Sequence, residues 1–423
     1  MDTKPTGLKP QTAPPSAELA RFAATFLCYT LIALGVVWRF SNLDYPSGFT
    51  FDEHHFVLNA RNYITRLADW NDHPPLGKLI LIPGIRLFGD SGFGWRISSA
   101  ILGVGVFLLA GWNASHIFGN KRVGLFVAAF VAIDGFFLSY SRTALLDTPL
   151  TLFMYGALSF MLWRQSLWAF AAAGVCVGLA VATKWTGVCV LLMAPWLLWR
   201  QKRSILHTAW MFALAGLVYV GVVILALVIT KQPVSLAGVM GTNWSLLQHH
   251  AGFTVWDNSA SSRWYTWPLL THPIVMHYEE IRRGTVRSMS MIGNLALWYA
   301  TTAALVAALV AIARAAFRRL KHRLAFPPMQ TGQLFVIATM VALILQFILT
   351  NRQSYIFHYL GAYGLGLSLF AVALEGWEKR FPWLVPAALG VVLLVALVYF
   401  PLWTTTPQTR AAFLMRLPFP GWR

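Results

Sequence analysis

The sequence predicts an all-α membrane protein that crosses the bilayer about eleven times. Of its 423 residues, 57% are hydrophobic and only 11% are charged, whereas soluble domains carry about 25% charged residues. Apolar stretches recur along the chain, and each approaches the roughly 20 residues that a membrane-spanning helix needs. Helices are expected because they satisfy their own backbone hydrogen bonds in lipid. This composition excludes an ordinary soluble enzyme, a disordered chain and a disulfide scaffold.

The elements follow one another from a polar tail through two groups of spans. Residues 1–20 are polar and contain four prolines, so we expect a disordered cytoplasmic tail. The predicted spans are 22–38, 97–118, 123–140, 148–163, 167–183, 186–199, 208–230, 292–313, 333–350, 355–374 and 382–402. Two long segments of mixed polarity interrupt them, a first loop (40–96) and a second loop (231–291). The remaining divisions are an N-terminal transmembrane module at 21–230, a four-helix C-terminal module at 292–403 and a tail at 404–423.

The basic residues indicate how the chain is oriented. The formal net charge is +18, which in a soluble protein would point to nucleic acid. The short loops on one side hold only Arg142, Lys184 and Arg352. The side of the N-terminus holds Lys121, Arg122, Arg164, Arg200, Lys202, Arg203, the run 314–323, Lys379 and Arg380. Because cytoplasmic loops are enriched in Lys and Arg, we expect both long loops to face outward and no nucleic acid to bind.

Acidic side chains are scarce and concentrate on the outward side. The outward acids are Asp44, Asp52, Glu53, Asp69, Asp72, Asp90, Asp147, Asp257, Glu279 and Glu280. Asp134 instead falls within a span, where an ionisable group is costly and is by default functional or paired. Polar chemistry is therefore expected at one face of the membrane.

Three short stretches combine carboxylates with cations or imidazoles. They are FDEHHF (51–56), DHPPLGK (72–78) and SRTALLD (141–147), and their candidate residues are Asp52, Glu53, Asp72, His73, Arg142 and Asp147. The tandem prolines of the second stretch fix an extended backbone that could aim His73. The simpler alternatives are an ordinary polar loop, a rigid turn, and a structural pair between Arg142 and Asp147.

Further cations stand at the outward mouths of spans: Arg96, Lys184 and Arg352. Cations gathered there suit a phosphate, and Arg offers it a bidentate fork. The spacing of His, Asp and Glu contains no metal motif such as HExxH, so we expect no metal. This arrangement predicts a transferase that takes a group from a lipid phosphate, with one carboxylate as general base on an acceptor hydroxyl. The residues alone do not name the group.

Eight stretches in order resemble the protein O-mannosyltransferase family, polytopic glycosyltransferases of the GT-C type that use polyprenyl-phosphate sugars. Besides FDEHHF and DHPPLGK, they are LFGDSGFGWRISSAILG (87–103), DGFFLSYSRTALLD (134–147), ATKWTGV (182–188), SSRWYTWPL (261–269), IGNLALWY (292–299) and NRQSYIFHYL (351–360). The resemblance implies a GT-C architecture with a catalytic N-terminal module. The second loop is too short for the lumenal β-trefoil module of eukaryotic members, so the chain resembles a compact bacterial member.

The resemblance also implies roles for the candidate residues. Asp52 matches the family's catalytic aspartate, which deprotonates the acceptor, and Glu53 is its catalytic partner. The substrate-binding candidates are Asp72, His73, Arg96, Arg142, Asp147, Lys184 and Arg352. The family's reaction is inverting and independent of divalent metal, so no cofactor is expected.

The expected donor is a polyprenyl-phosphate-linked sugar, with mannose as the sugar and membrane lipid as the surroundings. The expected acceptors are Ser and Thr hydroxyls of exported proteins, with an association with the secretion channel. The site would lie on the outer face of a bacterial inner membrane. The alternatives are a related transferase acting on lipid A or another glycan and, more remotely, a transporter, which would need polar groups near mid-bilayer.

Overall fold

The computed structural model describes residues 15–68, 72–163, 166–194, 205–252, 260–322 and 327–422. Several predicted features lie outside these ranges: most of the polar tail, Arg164, Arg200, Lys202, Arg203, Arg323, Asp69, Asp257 and the end of the span predicted at 186–199.

Helices make up most of the described chain. They are α1 (Pro15–Phe40), α2 (Glu53–Thr65), α3 (Leu76–Leu79), α4 (Ile82–Phe88), α5 (Gly92–Phe118), α6 (Lys121–Ile133), α7 (Gly135–Ser141), α8 (Asp147–Trp163), α9 (Leu167–Thr183), α10 (Ile205–Ile229), α11 (Leu236–Ala251), α12 (Leu295–His322), α13 (Pro328–Leu349), α14 (Leu360–Glu378), α15 (Leu384–Thr404) and α16 (Arg410–Met415). Segments of 3-10 helix lie at Trp185–Met193, Trp264–Leu269, Ile356–Tyr359 and Pro420–Trp422.

The long helices form a bundle with one continuous apolar core. In the N-terminal module α5 packs against α6 and α8, α8 against α9, and α9 against α10. In the C-terminal module α14 packs against α12 and α13, and it also contacts α6 of the first module. The loops that carry the candidate residues are therefore mounted on a single packed bundle.

The membrane-crossing helices can be identified by their length and hydropathy. Within the described residues, seven helices are long and apolar enough to cross a membrane, or eight when α6 and α7, bent by 59°, count as one span. Helices α8 and α9 have 17 residues each, and the span predicted from residue 186 begins as 3-10 helix. The predicted count of eleven is not confirmed.

Two expectations about local structure are wrong. The tail predicted as disordered up to residue 20 is helical from Pro15 onward, because Pro is well tolerated at the first helical position and Glu18 in the first turn favours the helix dipole. The chain is also not entirely α-helical. A small antiparallel sheet joins β1 (Val275–Arg282), β2 (Thr285–Ser290) and β3 (Gln408–Thr409) in that order.

The sheet ties the tail to the second loop. Strands β1 and β2 form a hairpin, whose turn contains Gly284 with a φ of +76°, a left-handed conformation that glycine adopts at little cost. Strand β3 pairs with β2 through Gln408 and Val286. The charged residues around this hairpin hid its strands from a sequence pattern dominated by apolar spans.

The break between α6 and α7 explains the buried carboxylate of Asp134. Its Oδ1 accepts the backbone N–H of Phe136 (2.9 Å), which caps the start of α7. Its Oδ2 accepts the backbone N–H of Asn294 (2.8 Å) and the hydroxyl of Tyr363 (3.0 Å). Asp134 therefore links the two modules, because its oxygens accept hydrogen bonds from donors that lipid could not satisfy.

A matched pair of glycine substitutions tests this packing. At Gly135 an added Cβ would lie 1.8 Å from Cε2 of Trp403 on α15, so Gly135→Ala should destabilise the protein by at least about 1–3 kcal/mol through overpacking. Gly216 in α10 has open space around its Cα, and Gly216→Ala should leave the melting temperature of the detergent-purified protein unchanged or slightly higher. Equal melting temperatures for the two variants would contradict this packing.

Candidate active site

Asp52 lies at the turn that starts α2, and its carboxylate is only partly buried. Phe51 before it has a φ of +50°, a strained value for an aromatic residue and one that tends to occur at functional sites. Although Asp52 occupies the N-cap position, its side chain caps nothing. Across the described residues no hydrogen bond or ion pair reaches this carboxylate. Its oxygens are thus available to accept a proton.

The charges around Asp52 act in opposite directions. Burial raises the pKa of the Asp52 carboxyl, the positive charges of Lys184 and His55 lower it, and the carboxylates of Asp147 and Asp72 raise it again. The net effect is a pKa above the ordinary aspartate value. A carboxylate with a raised pKa is a stronger base, which is the property that general-base chemistry requires.

Glu53, next in the chain, is completely buried and fully hydrogen-bonded. Its Oε1 accepts from Nε of Arg96 (2.8 Å) and the backbone N–H of Ala144 (2.8 Å). Its Oε2 accepts from Nη2 of Arg96 (2.8 Å) and the backbone N–H of Thr50 (2.9 Å). Arg96 is equally buried. This geometry favours a positioning role for both residues over direct contact with substrate.

Arg96 also holds the backbone of the first loop. Its Nη1 donates to the carbonyl oxygens of Leu43 (3.1 Å) and Pro46 (2.8 Å), and its Nη2 donates to that of Gly48 (3.0 Å). Arg96, which the sequence predicts to bind phosphate, is thus surrounded by carbonyl oxygens of the loop segment that leads to Asp52.

Lys184 and Asp147 form an ion pair close to Asp52. The Nζ of Lys184 lies 3.0 Å from Oδ1 and 2.8 Å from Oδ2 of Asp147, and both side chains are largely buried. Asp147 begins α8, and Lys184 follows the last residue of α9. The ring of Phe357 lies 5.4 Å from the ammonium. Two of the candidate residues are therefore brought together beside the predicted base.

Arg142 does not pair with Asp147, so the structural pair considered from the sequence is not observed. Its buried guanidinium donates to the carbonyl oxygens of Trp38 (2.5 Å) and Ser41 (2.5 Å) at the end of α1. The geometry therefore favours the loop-scaffold role for Arg142.

The second stretch of the first loop is held by Lys78. Its ammonium is buried and donates to the carbonyl oxygens of His73 and Pro74, with Asp72 3.8 Å away. Burial lowers the pKa of His73, and the positive charges of Lys184 and Lys78 lower it further. His73 is thus a neutral imidazole at physiological pH.

His250 lies beside the candidate residues His73 and Arg352, although no sequence motif indicated it. It lies in the last turn of α11, in the second loop, with its ring centroid 5.2 Å from that of His73 and 5.8 Å from that of Trp185. Nη2 of Arg352 lies 3.1 Å from its Nδ1. The sequence signal for it was the pair His249-His250 within the second loop. Among the described residues, no group of three or more His, Cys, Asp or Glu is arranged to hold a metal ion.

Comparison with known proteins identifies the family. Residues 29–236 match the dolichyl-phosphate-mannose-protein mannosyltransferase family, and residues 235–415 match the C-terminal four-span region of protein O-mannosyltransferases. The chain belongs to the protein O-mannosyltransferase family. The resemblance expected from the eight motifs is thereby confirmed.

Two curated relatives illustrate how far the similarity extends. The polyprenol-phosphate-mannose–protein mannosyltransferase of Mycolicibacterium smegmatis is 31% identical over 195 residues, which cover 37% of this chain and 38% of the relative. The dolichyl-phosphate-mannose–protein mannosyltransferase 1 of Saccharomyces cerevisiae is 29% identical over 220 residues, covering 44% of this chain and 27% of the relative. The match therefore spans well under half of either relative.

Solved structures share the fold over nearly the whole chain. The S. cerevisiae protein O-mannosyltransferase Pmt1–Pmt2 complex bound to the sugar donor has a TM-score of 0.80 at 14% identity, covering 97% of this chain and 95% of that one. ArnT from Cupriavidus metallidurans bound to undecaprenyl phosphate has a TM-score of 0.57 at 18% identity, covering 88% and 64%. These similarities establish the architecture of this family member.

The buried pair of Glu53 and Arg96 is open to a direct test. Glu53→Gln leaves the Arg96 guanidinium buried without its counter-charge, which typically costs about 3–5 kcal/mol. Arg61 and Asp90 form a pair with side chains 35% and 46% exposed, and such pairs contribute at most about 1 kcal/mol. Glu53→Gln should therefore lower the melting temperature far more than Arg61→Gln. A Glu53→Gln variant as stable as wild type would show that the pair does not hold the loop.

Proposed function

We propose that this chain transfers mannose from a polyprenyl-phosphate carrier to Ser or Thr hydroxyls of exported proteins. The observation that carries the proposal is the Asp52 carboxylate, which has a raised pKa and free oxygens beside the Lys184–Asp147 pair. Membership of the family and the names of the mycobacterial relatives support the donor class and the sugar.

The proposed reaction is a single displacement with inversion at the sugar. Asp52 takes the proton of the acceptor hydroxyl while the hydroxyl oxygen forms a bond to the anomeric carbon. The bond between that carbon and the phosphate oxygen breaks, and polyprenyl phosphate leaves with the electron pair. Lys184 and Arg352 supply positive charge for the leaving phosphate. This displacement requires one base and a good leaving group, and we propose that no divalent metal takes part.

Glu53 and Arg96 contribute to this mechanism through position. Glu53 accepts the backbone N–H groups of Thr50 and Ala144, which fixes the turn before Asp52 against the start of the segment that leads to α8. A base must lie within hydrogen-bond reach of its proton, so small displacements of this turn would slow transfer.

The proposed location is a bacterial inner membrane, with the site on its outer face. The segregation of basic residues supports this orientation, because cytoplasmic loops are enriched in Lys and Arg. Exported proteins would meet the site as they leave the membrane, which motivates the proposed association with the secretion channel. A lipid or glycan acceptor is the alternative outcome, and the fold shared with ArnT does not by itself favour it.

Replacing the base tests the proposal. Asp52→Asn should lower transfer of mannose from synthetic polyprenyl-phosphate mannose to a Thr-rich peptide by at least about 100-fold, since general-base catalysis contributes roughly 10²–10⁴. The assay contains EDTA, because no metal is proposed. Asp52→Asn should also keep or raise the melting temperature, since burial makes the ionised carboxylate costly at neutral pH. Full activity of Asp52→Asn contradicts the base assignment, and transfer to lipid alone contradicts the acceptor.

The pH dependence provides a separate test. Asp52 must be ionised to accept a proton, so kcat/KM should fall as the pH drops through its pKa and stay high above it. Because burial raises this pKa, the acidic limb should lie above the ordinary aspartate value of about 3.9. An acidic limb at or below that value, with the base otherwise confirmed, would show that Asp52 is not desolvated in the working enzyme.

A further inference from the structure

Strand β1 forms an open edge of the small sheet. The strand order is β1-β2-β3, so β1 has a neighbouring strand on one side only. In an antiparallel pair, alternate residues direct their backbone N–H and C=O groups away from the partner strand. Within the parts of the chain that the structure describes, no third segment bonds the backbone of this second edge. An edge of eight residues is a template for an additional strand.

An apolar groove lies between β1 and the C-terminal tail. It has about 680 Å³ of open space, within the range of roughly 300–1,000 Å³ that is typical of ligand pockets. The ring of Tyr278 packs against that of Phe413, with centroids 5.2 Å apart, and yet Tyr278 remains 44% exposed. The groove is lined by Val275, Tyr278, Arg410, Phe413, Leu414 and Trp422. Its walls therefore suit an apolar side chain.

The opposite face of β1 contacts the segment that leads to Asp52. Side chains alternate between the two faces of a strand, and those of His277 and Glu279 face the first loop. The hydroxyl of Tyr45 in that loop donates to the carboxylate of Glu279, and its ring centroid lies 6.1 Å from that of His277. Burial lowers the pKa of His277, whereas the carboxylates of Glu279 and Glu53 raise it. Glu53, the neighbour of Asp52, is thus close enough for its charge to act on β1.

The form of the edge indicates which kind of molecule it fits. Main-chain hydrogen bonds to an edge strand hold an extended peptide of any sequence, and pockets beside the strand select its side chains. The register of β1 is irregular between Val275 and His277 and between Glu280 and Arg282. Such irregularities disfavour the pairing of two long edges from two copies of the chain. They leave a regular stretch at 277–280 that a short extended segment can join.

We propose that β1 and the groove bind the acceptor polypeptide as an added strand. An extended segment of the acceptor pairs with the open edge of β1, one of its apolar side chains enters the groove, and a hydroxyl further along the segment reaches Asp52. The proposal deepens the proposed function and rests on it, because it specifies how the site recognises its protein acceptor. The second loop thereby holds the substrate whose proton the first loop removes.

Backbone methylation of the peptide tests strand addition with the unaltered protein. A labelled, Thr-containing peptide is bound to the full purified chain without donor, and fluorescence anisotropy measures its affinity. One backbone nitrogen is methylated at a time. Methylation at alternate residues should weaken binding about three- to ten-fold, the effect of one lost hydrogen bond. Methylation at the intervening residues should leave the affinity unchanged, because their N–H groups point away from β1. Loss of affinity without this alternation overturns the proposal.

Substitutions in the groove test the part assigned to the side chains. Tyr278→Ala should raise the KM for the peptide at least about five-fold, as expected for an aromatic anchor, and leave the KM for the donor unchanged. Tyr278→Phe keeps the ring and should match wild type. Tyr265→Ala is the control, since Tyr265 is 60% exposed in the same loop but does not line the groove. Equal peptide KM values for Tyr278→Ala and wild type overturn the role of the groove. The methylation series remains decisive if Tyr278→Ala fails to fold.

Other occupants of this edge give different results. If a second copy of the chain covers it, Tyr278→Ala changes the oligomeric state by analytical ultracentrifugation and leaves the peptide KM unchanged, which overturns the proposal. Alternating sensitivity to methylation without any mannose transfer by wild type would contradict the proposed function and support the peptide-binding edge. Transfer by wild type without that alternation would overturn this inference alone.

Discussion

The buried ion pair between Glu53 and Arg96 is the interaction on which the candidate site depends. Four N–H donors converge on one carboxylate, two from Arg96 and two from the backbone of Thr50 and Ala144. The pair therefore fixes the first loop to the bundle at the point where Asp52 emerges. Removing either partner would leave a charge without compensation in an apolar environment, which is far more costly than a mutation in an exposed pair.

Most charged residues of the site hold the structure in place, and one is left to react. Glu53 and Arg96 bond each other and the backbone, and Arg142 bonds the backbone. Asp52 differs, because its carboxylate is partly desolvated without a bound donor, and this raises its pKa. The folded chain thus tolerates an unfavourable ionised group at one position while neighbouring interactions hold it there. Such local instability is common where a protein must react with a ligand.

Buried polar groups are also hydrogen-bonded in the core of the bundle. Breaking the helix between α6 and α7 frees backbone groups in the buried interior of the bundle, where they need protein partners. Asp134 caps the second helix and ties it to Asn294 and Tyr363, and Arg39 donates to the carbonyl oxygen of Val131 (3.1 Å) near the end of α6. The two ionisable groups therefore stabilise the break, and the bent element brings the segment around Arg142 beneath the first loop.

The sequence by itself determined the membrane class, the family and the concentration of candidate residues in and beside the long loops. Composition and ordered motifs are local properties of the chain. The sequence could not decide which charges meet. Lys184 pairs with Asp147 across 37 residues and Arg352 bonds His250 across 102, so these partners are set by the packing of helices. The hairpin of β1 and β2 and the helical start at Pro15 were likewise hidden, since strand pairing and the local context of α1 outweighed the polar composition. Only the tertiary structure separated the carboxylate that is saturated from the adjacent one that is available for reaction.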